Sequence, residues 1–421
     1  MPFDVRRTRW VFRALFFTMM MSVGLMLPFF ILHLKSEVGF DDRQIGMVSA
    51  ISGLTVVLFH QLWGYVGDVL ASKRLLVAFN CFAAALAGLW LGSTHTLPST
   101  LAAMFVFSFF FSSQFQLLHG LVLGLEGGDV RFGGLRAWAS FGYVVTNLVV
   151  GWYCGRVGSY SVIFPVMAAV NLVAMALVLA APEGKRFEVR EDEARRPRFL
   201  DVQAHFLRRG DVRLFLFVAF LHNAAHGLSY TLQAVLLKEL GAGPGFTGAV
   251  YSFAAALEIP VFGAATLLLR RFGAVPMLVF ASVVQAARWM VVWGAPNKET
   301  VFAAAAAHCV TFGVFYAASV AYINGHAGPR YRASGQTLLA MVYAGMAGVA
   351  SNLLGGLAVS GGPLAPMVRG FATGWLGLPD RGDLRNMYVA CAAVSTMAAI
   401  AGLMLWRMEA GTGDEVALGK A

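Results

Sequence analysis

FTGAVYSFAAALEIPVFGAATLLL, residues 246–269, carries one charged residue in 24, Glu258, almost at its midpoint. At ~1.5 Å rise per residue a helix would place that carboxylate about 18 Å from either end. The run is long enough to cross a bilayer, for which roughly 20 apolar residues suffice. An acid at that depth costs at least ~2.5 to 3.5 kcal/mol on insertion scales, so its default reading is functional, with a partner or a wet cavity. The bland alternative is a protonated core residue that only holds helices together.

The rest of the chain fits that reading. Of its 421 residues 58% are hydrophobic and 13% charged, and the mean hydropathy is +0.68. A soluble protein would carry nearly twice that charged fraction, so the composition predicts a polytopic membrane protein, and the spanning-length apolar runs below make it all-α. The net charge of +10 is a matter of loop placement and gives no reason to invoke nucleic acid. Cys81, Cys154, Cys309 and Cys391 lie far apart within apolar segments, with neither a disulfide framework nor metal-ligand spacing. The apolar segment after Arg6, Arg7 and Arg9 is too long for a signal-peptide core and reads as a retained helix.

Six segments of spanning length run from Trp10–Leu34 to Tyr160–Ala181. The stretch GKRFEVREDEARRPRFLDVQAHFLRRGD then breaks the pattern and is too charged to cross a bilayer. Six more segments run from Leu214–Leu237 to Met387–Trp406. The predicted organisation is twelve helices in two halves, 1–181 and 213–407, around a loop at 182–212, with a polar tail at 408–421. Placing the N-terminus inside assigns 21 Lys and Arg to the cytoplasmic side and 8 to the outside. Both termini are therefore predicted to be cytoplasmic.

Between the second and third helices stands Gly64-Tyr-Val-Gly67-Asp68-Val-Leu-Ala-Ser-Lys73-Arg74. It resembles the G-x-x-x-D-x-x-x-x-[KR]-[KR] loop of the major facilitator superfamily, whose two six-helix halves are related repeats. The resemblance implies a gate in which Gly64 permits a tight helix end and Asp68 caps or pairs beside Lys73 and Arg74. An ordinary basic turn is the plain alternative. The corresponding second-half loop keeps Arg270 and Arg271 but lacks the acid, so any latch is asymmetric.

Candidate site residues occur in both halves. Phe132-Gly133-Gly-Leu-Arg136-Ala-Trp138-Ala-Ser140-Phe-Gly142 puts Arg136 near the inner end of helix 5, at the depth of His119 in helix 4. Spacing alone fits a snorkelling anchor as well as a cavity residue. The stretch looks like that of the 3-phenylpropionate permease branch, and its Phe, Gly and Arg are shared by the lactose permease, where the arginine contacts solute. The family usually has an acid where this chain has His119. His60 in helix 2 is an isolated titratable group that lines a cavity or only faces the interior. Helix 7 offers His222, Asn223 and His226; the two histidines lie one turn apart, without a nearby third metal ligand.

Leu257-Glu258-Ile259-Pro260 and Ala307-His308-Cys-Val-Thr311-Phe312-Gly313 also resemble that branch. Arg288 precedes His308 by 20 residues, the separation of the coupling Arg and His in the lactose permease. Where that permease has its proton-carrying Glu, this chain has Thr311. Glu258 is then the acid left in the helices of the second half. Counted from the outer helix ends, Arg288 lies about 15 Å in, His308 about 12 Å and Glu258 about 18 Å, one layer that fits a site or an internal structural cluster. Ser334-Gly335-Gln336 begins helix 11; Gln336, like His60, Asn223 and His226, is a candidate cavity-lining residue, and Gly345, Gly348, Gly355 and Gly356 suit close packing. The 361–385 loop is longer than the resemblance requires.

The expectation is an inner-membrane symporter, working as a monomer by alternating access, with a cavity lined by Arg136, His119, Glu258, Arg288 and His308. Two arginines against one acid favour an anionic solute or a proton that offsets Glu258, and together with the branch resemblance this implies an aromatic or other small carboxylate moved with protons. A sugar or nucleoside is the alternative solute. No cofactor is implied. A receptor on the same fold would usually add a signalling domain, and an enzyme would need a nucleophile and base, a metal triad or a phosphate loop at matching depth.

Overall fold

The computed structural model describes residues 5–69, 72–123, 132–181 and 206–412. The side chains of some helical residues, among them Gly64, Asp68, His119 and Arg136, lie outside the described set. Among the described residues there are helices and no strands, and ten helices are long and apolar enough to cross a membrane. The other two segments that the hydropathy predicts, within Asp42–Val69 and Phe132–Val157, are helices of 28 and 26 residues.

The chain divides into two compact units, 1–189 with 237–256, and 190–236 with 257–421. In the first, α1 is Val5–Leu25, α2 Asp42–Val69, α3 Lys73–Gly92, α4 Leu97–Leu123, α5 Phe132–Val157 and α6 Ile163–Ala180. Local chemistry sets several of the ends. Asp41 Oδ1 accepts from the Gln44 N–H at 2.7 Å while Gln44 Oε1 accepts from the Asp41 N–H at 3.1 Å, a reciprocal box that starts α2. The Ser72 hydroxyl caps α3 by accepting from the Leu75 N–H. Gly39 closes the segment after α1 at φ 81°, a conformation that favours glycine. Because α2 continues to Val69, Gly64 and Asp68 occupy its last turns rather than an open loop.

Apolar packing between helices has no water to drive it within lipid, so buried polar contacts and small residues set the register. Gln114 donates to Asn171 Oδ1 at 3.1 Å and to the Asn80 carbonyl at 3.3 Å, and Asn80 donates to Ser113 Oγ at 2.8 Å. Asn171 in turn reaches Ser22 Oγ at 3.2 Å, so four helices are tied at one level. Gly142 lets α5 approach α1: a Cβ there would lie 2.2 Å from the Phe17 carbonyl oxygen, which is backbone and cannot swing away. Gly142→Ala is therefore expected to destabilise the protein by about 1–3 kcal/mol through overpacking, read as a lowered thermal midpoint of the purified protein. An unchanged midpoint would show that α1 and α5 yield without cost.

The second unit contains most of α7, Gly210–Glu239, and the later part of α8, Pro244–Phe272. It continues with α9, Ala274–Gly294, and α10, Lys298–Ala305, which passes through a wide π turn, Cys309–Val314, into α11, Phe315–Ala340. After a second wide turn, Met341–Met346, come α12, Ala347–Ala358, α13, Ala365–Gly370, and α14, Asp383–Thr412. Its core gathers Phe206, Phe215, Leu278, Phe315, Tyr322, Leu339 and Leu405. The sequence predicts a break between Ile323 and Ser334, whereas helical backbone runs on to Ala340. Yet Gln336 Nε2 donates to the Val320 carbonyl at 3.3 Å and to Asn324 Oδ1 at 2.8 Å. A straight helix would hold Asn324 and Gln336 about 18 Å apart, so the chain folds back between them into two antiparallel arms.

Candidate functional site: a buried carboxylate, imidazole and guanidinium in one chain of contacts

Glu258 meets its partners because α8 comes close to the wide turn after His308. Gly313 leaves the room: a Cβ there would lie 3.3 Å from Val261 Cγ1 and 3.9 Å from Glu258 Cγ. Wide turns of this type recur at functional sites, since they shift side chains out of α-helical register. Here the turn brings Thr311 into double use. Its hydroxyl accepts from Arg288 Nη1 at 3.1 Å, and its carbonyl lies 2.7 Å from His222 Nε2, which must donate to it.

Glu258, Arg288 and His308 are 6%, 3% and 4% exposed, so whatever charge they carry must be matched locally. Arg288 Nη1 lies 3.2 Å from His308 Nδ1, and His308 Nε2 lies 3.0 Å from Glu258 Oε1. Donor and acceptor rules assign the protons. A guanidinium only donates, so Nδ1 accepts and carries no hydrogen; Nε2 holds the imidazole proton and donates it to the carboxylate. His308 is thus a neutral bridge between Arg288 and Glu258, and the cluster balances in charge when Glu258 is ionised. Arg288 Nη2 also approaches Gln233 Oε1 at 3.5 Å, and its guanidinium carbon sits 4.5 Å from the centre of the Trp289 ring.

A column of nearly parallel rings adjoins this chain. Tyr230 stacks on His308 with centroids 4.9 Å apart, His308 on Phe312 at 5.4 Å, and Phe312 on Tyr316 at 5.8 Å. His226 lies beside it, 5.1 Å from His308 and 5.4 Å from Tyr230. Tyr230 and Phe312 are half-buried and Tyr316 is 37% exposed, so the column leads from the buried ionic cluster toward an accessible edge. Flat rings can accept the apolar faces of cyclic solutes, and buried ionic groups can bond hydroxyls or carry protons.

His226, Tyr230 and Gln233 form one stripe of α7 at spacings of four and three. Sequence reasoning singles out only the histidine, although the i, i+4, i+7 pattern points to all three. Asn223 donates to the Tyr343 carbonyl and is buried within the helix packing. His222 is fully buried, stacked on Phe315 at 3.5 Å and bonded to Ser282 Oγ at 3.0 Å, which gives it a packing role. Gln336 holds the two arms of α11 together. His60 is half-buried on α2 with no hydrogen-bond partner for Nδ1. Arg74 donates to the Ala181 carbonyl at 3.3 Å, and Lys73 opens α3 beside it. The side chains of Arg136, His119, Gly64 and Asp68 fall outside the described residues. Among the described residues no three His, Cys, Asp or Glu side chains gather as a metal site.

Known proteins resemble this chain along most of its length. The maltose permease of Geobacillus stearothermophilus is 26% identical over 357 residues, 82% of this chain and 86% of the permease. The uncharacterized transporter YwbF of Bacillus subtilis (strain 168) is 20% identical over 322 residues, 76% of this chain and 79% of that protein. Among solved structures, the nucleoside transporter NupG superposes with a TM-score of 0.74 at 16% identity, covering 96% of this chain and 100% of that one. At that identity the likeness speaks for the fold alone. The model of the MFS_1 like family matches residues 9–364, so the chain belongs to that family and is a multi-pass transporter of the major facilitator superfamily.

Proposed function

We propose that the protein is a proton-coupled symporter that moves a small organic solute by alternating access, with Glu258 as the proton carrier. The observation that carries this reading is the buried Arg288, His308 and Glu258 chain of contacts. A carboxylate that already accepts from a neutral imidazole is in a position to take a proton when solute arrives and to yield it to water on the other side. Loop charges support a bacterial-type inner-membrane orientation with both termini cytoplasmic. The solute would meet Arg288, His308 and the aromatic column from the second half. Arg136 and His119 would supply the first half, and Gly64, Asp68, Lys73 and Arg74 the gate.

Charge balance bears on the class of solute. Arg288 and Glu258 offset one another, and three contacts already engage the guanidinium. That favours a neutral, hydroxyl-bearing ring of the sugar class, and the likeness to a maltose permease points the same way. The carboxylate reading rests on the motif around Arg136, whose positive charge would anchor an acid. Reconstituted vesicles with an imposed pH gradient should accumulate maltose or another sugar in preference to uridine and 3-phenylpropionate. Accumulation of phenylpropionate without any sugar would replace the sugar reading by the carboxylate one. Flux of none of the three would reject both.

A further inference from the structure

Between α12 and α14, residues 364–376 read LAPMVRGFATGWL. Thirteen residues with a single charge are too few to span a bilayer and fall in the length range of interfacial or re-entrant segments. The chain forms α13 and then a wide turn, Phe371–Trp375, and it has two apolar faces. Ala365, Val368 and Ala372 are buried against the second unit, at helical spacings of three and four. Met367 and Trp375, in contrast, are 65% and 88% exposed, with half-buried Phe371 midway between them and Leu376 50% exposed. A wide turn advances the chain through a smaller angle per residue, which brings Trp375 back toward the face of Met367.

Two independent features say what covers that face. Both neighbouring helices are membrane spans, so the 24 residues between Ala358 and Asp383 start and finish at the same bilayer surface. Those spans carry exposed Leu353, Leu354, Met397 and Ile400, a surface whose solvent is lipid, and residues 364–376 connect them with an apolar exposed face of their own. The one charge of the segment is neutralised. Arg369 Nη2 lies 2.7 Å from Asp383 Oδ1 and its Nε 3.5 Å from Asp380 Oδ2. Asp380 also accepts from the Gly382 N–H and from Asn386 Nδ2, which hold its carboxyl below the usual range. The ion pairs pin the polar edge to the protein and leave the apolar edge facing outward.

We propose that residues 364–376 form an interfacial anchor lying in the plane of the membrane surface, with Met367, Phe371, Trp375 and Leu376 set at the boundary of headgroups and acyl chains. Tryptophan at one end and a compensated arginine on the polar edge are the residue choices such a position favours. The occupant of the face is the lipid surface rather than a second copy of the chain.

The test is site-directed spin labelling of the full-length protein in phosphatidylethanolamine and phosphatidylglycerol vesicles, with Cys309→Ser removing the one half-exposed thiol. Labels at Met367→Cys and Trp375→Cys are compared with one at Pro379→Cys, an exposed position of the same loop. The proposal expects oxygen to reach the first two better than a water-soluble nickel chelate does, at a depth of about 5–10 Å below the phosphates, while Pro379→Cys reads as water. If Trp375→Cys fails to fold, the Met367→Cys label reports the same depth. Water-like accessibility at both overturns the proposal. So does dipolar broadening between labels with low access to both reagents, since that places a second copy on this face.

Discussion

Glu258→Gln is expected to abolish pH-driven accumulation while leaving downhill exchange of solute intact. Glutamine keeps the shape of the protonated acid and its ability to accept from His308 Nε2, but it can neither bind nor release a proton. In the parent protein a gradient of one pH unit stores about 1.4 kcal/mol, enough for about tenfold accumulation of a neutral solute moved with one proton. The Gln variant should equilibrate at a ratio of about 1. Burial explains why the effect is so large: Glu258 is 6% exposed and joined to Arg288 through His308, so no bulk carboxylate replaces it. Labelled-solute uptake and counterflow in the same vesicles separate the two behaviours. Loss of exchange along with accumulation would make Glu258 a solute ligand or a structural group instead.

Arg288 should be nearly as sensitive, for a geometric reason. Its planar head reaches His308 Nδ1 and Thr311 Oγ1 from one nitrogen and Gln233 from another, and it also packs on Trp289. A lysine ammonium is a single point that cannot serve those directions together, so Arg288→Lys keeps the charge and loses the fork. Charge-assisted hydrogen bonds contribute about 1.5–3 kcal/mol each, and the loss of one predicts uptake lowered by about 10- to 150-fold. Arg288→Met goes further and leaves the cluster with an uncompensated negative charge, at a cost of about 3–5 kcal/mol of stability. Adding Glu258→Gln to Arg288→Met removes that charge and should restore most of the thermal midpoint, although not accumulation. A double variant no more stable than Arg288→Met would show that the two charges are not coupled.

Much of this arrangement is legible without coordinates. A lone acid in a 24-residue apolar run, and depths counted along three helices, place Glu258, Arg288 and His308 in one layer, and the structure brings those three into contact. The membrane class follows from composition, because 13% charged residues is about half the share usual in soluble domains, and the helical fold follows from apolar runs of spanning length. What cannot be read are features that depend on backbone register. The wide turn at Cys309–Val314 swings Thr311 toward both Arg288 and His222, and hydropathy carries no trace of it. Gln336 reads in sequence as a cavity residue at a helix start; its amide joins two arms of α11, a contact set by where the chain folds back. Tyr230 and Gln233 are within reach of a stripe argument but lack the charge that draws attention. The length of the loop after α12 is visible in the sequence, and its two-faced character emerges only once exposure separates Ala365, Val368 and Ala372 from Met367 and Trp375.

The claim on which the account turns is that one proton travels on Glu258 with each solute. The most direct measurement is the pH of a lightly buffered medium when a transported solute is added to de-energised vesicles, with no gradient imposed. The parent protein is expected to alkalinise the medium as solute enters. The Glu258→Gln variant, shown active by exchange, is expected to leave the pH unchanged. Alkalinisation of equal size in that variant would place the proton on another group and contradict the account.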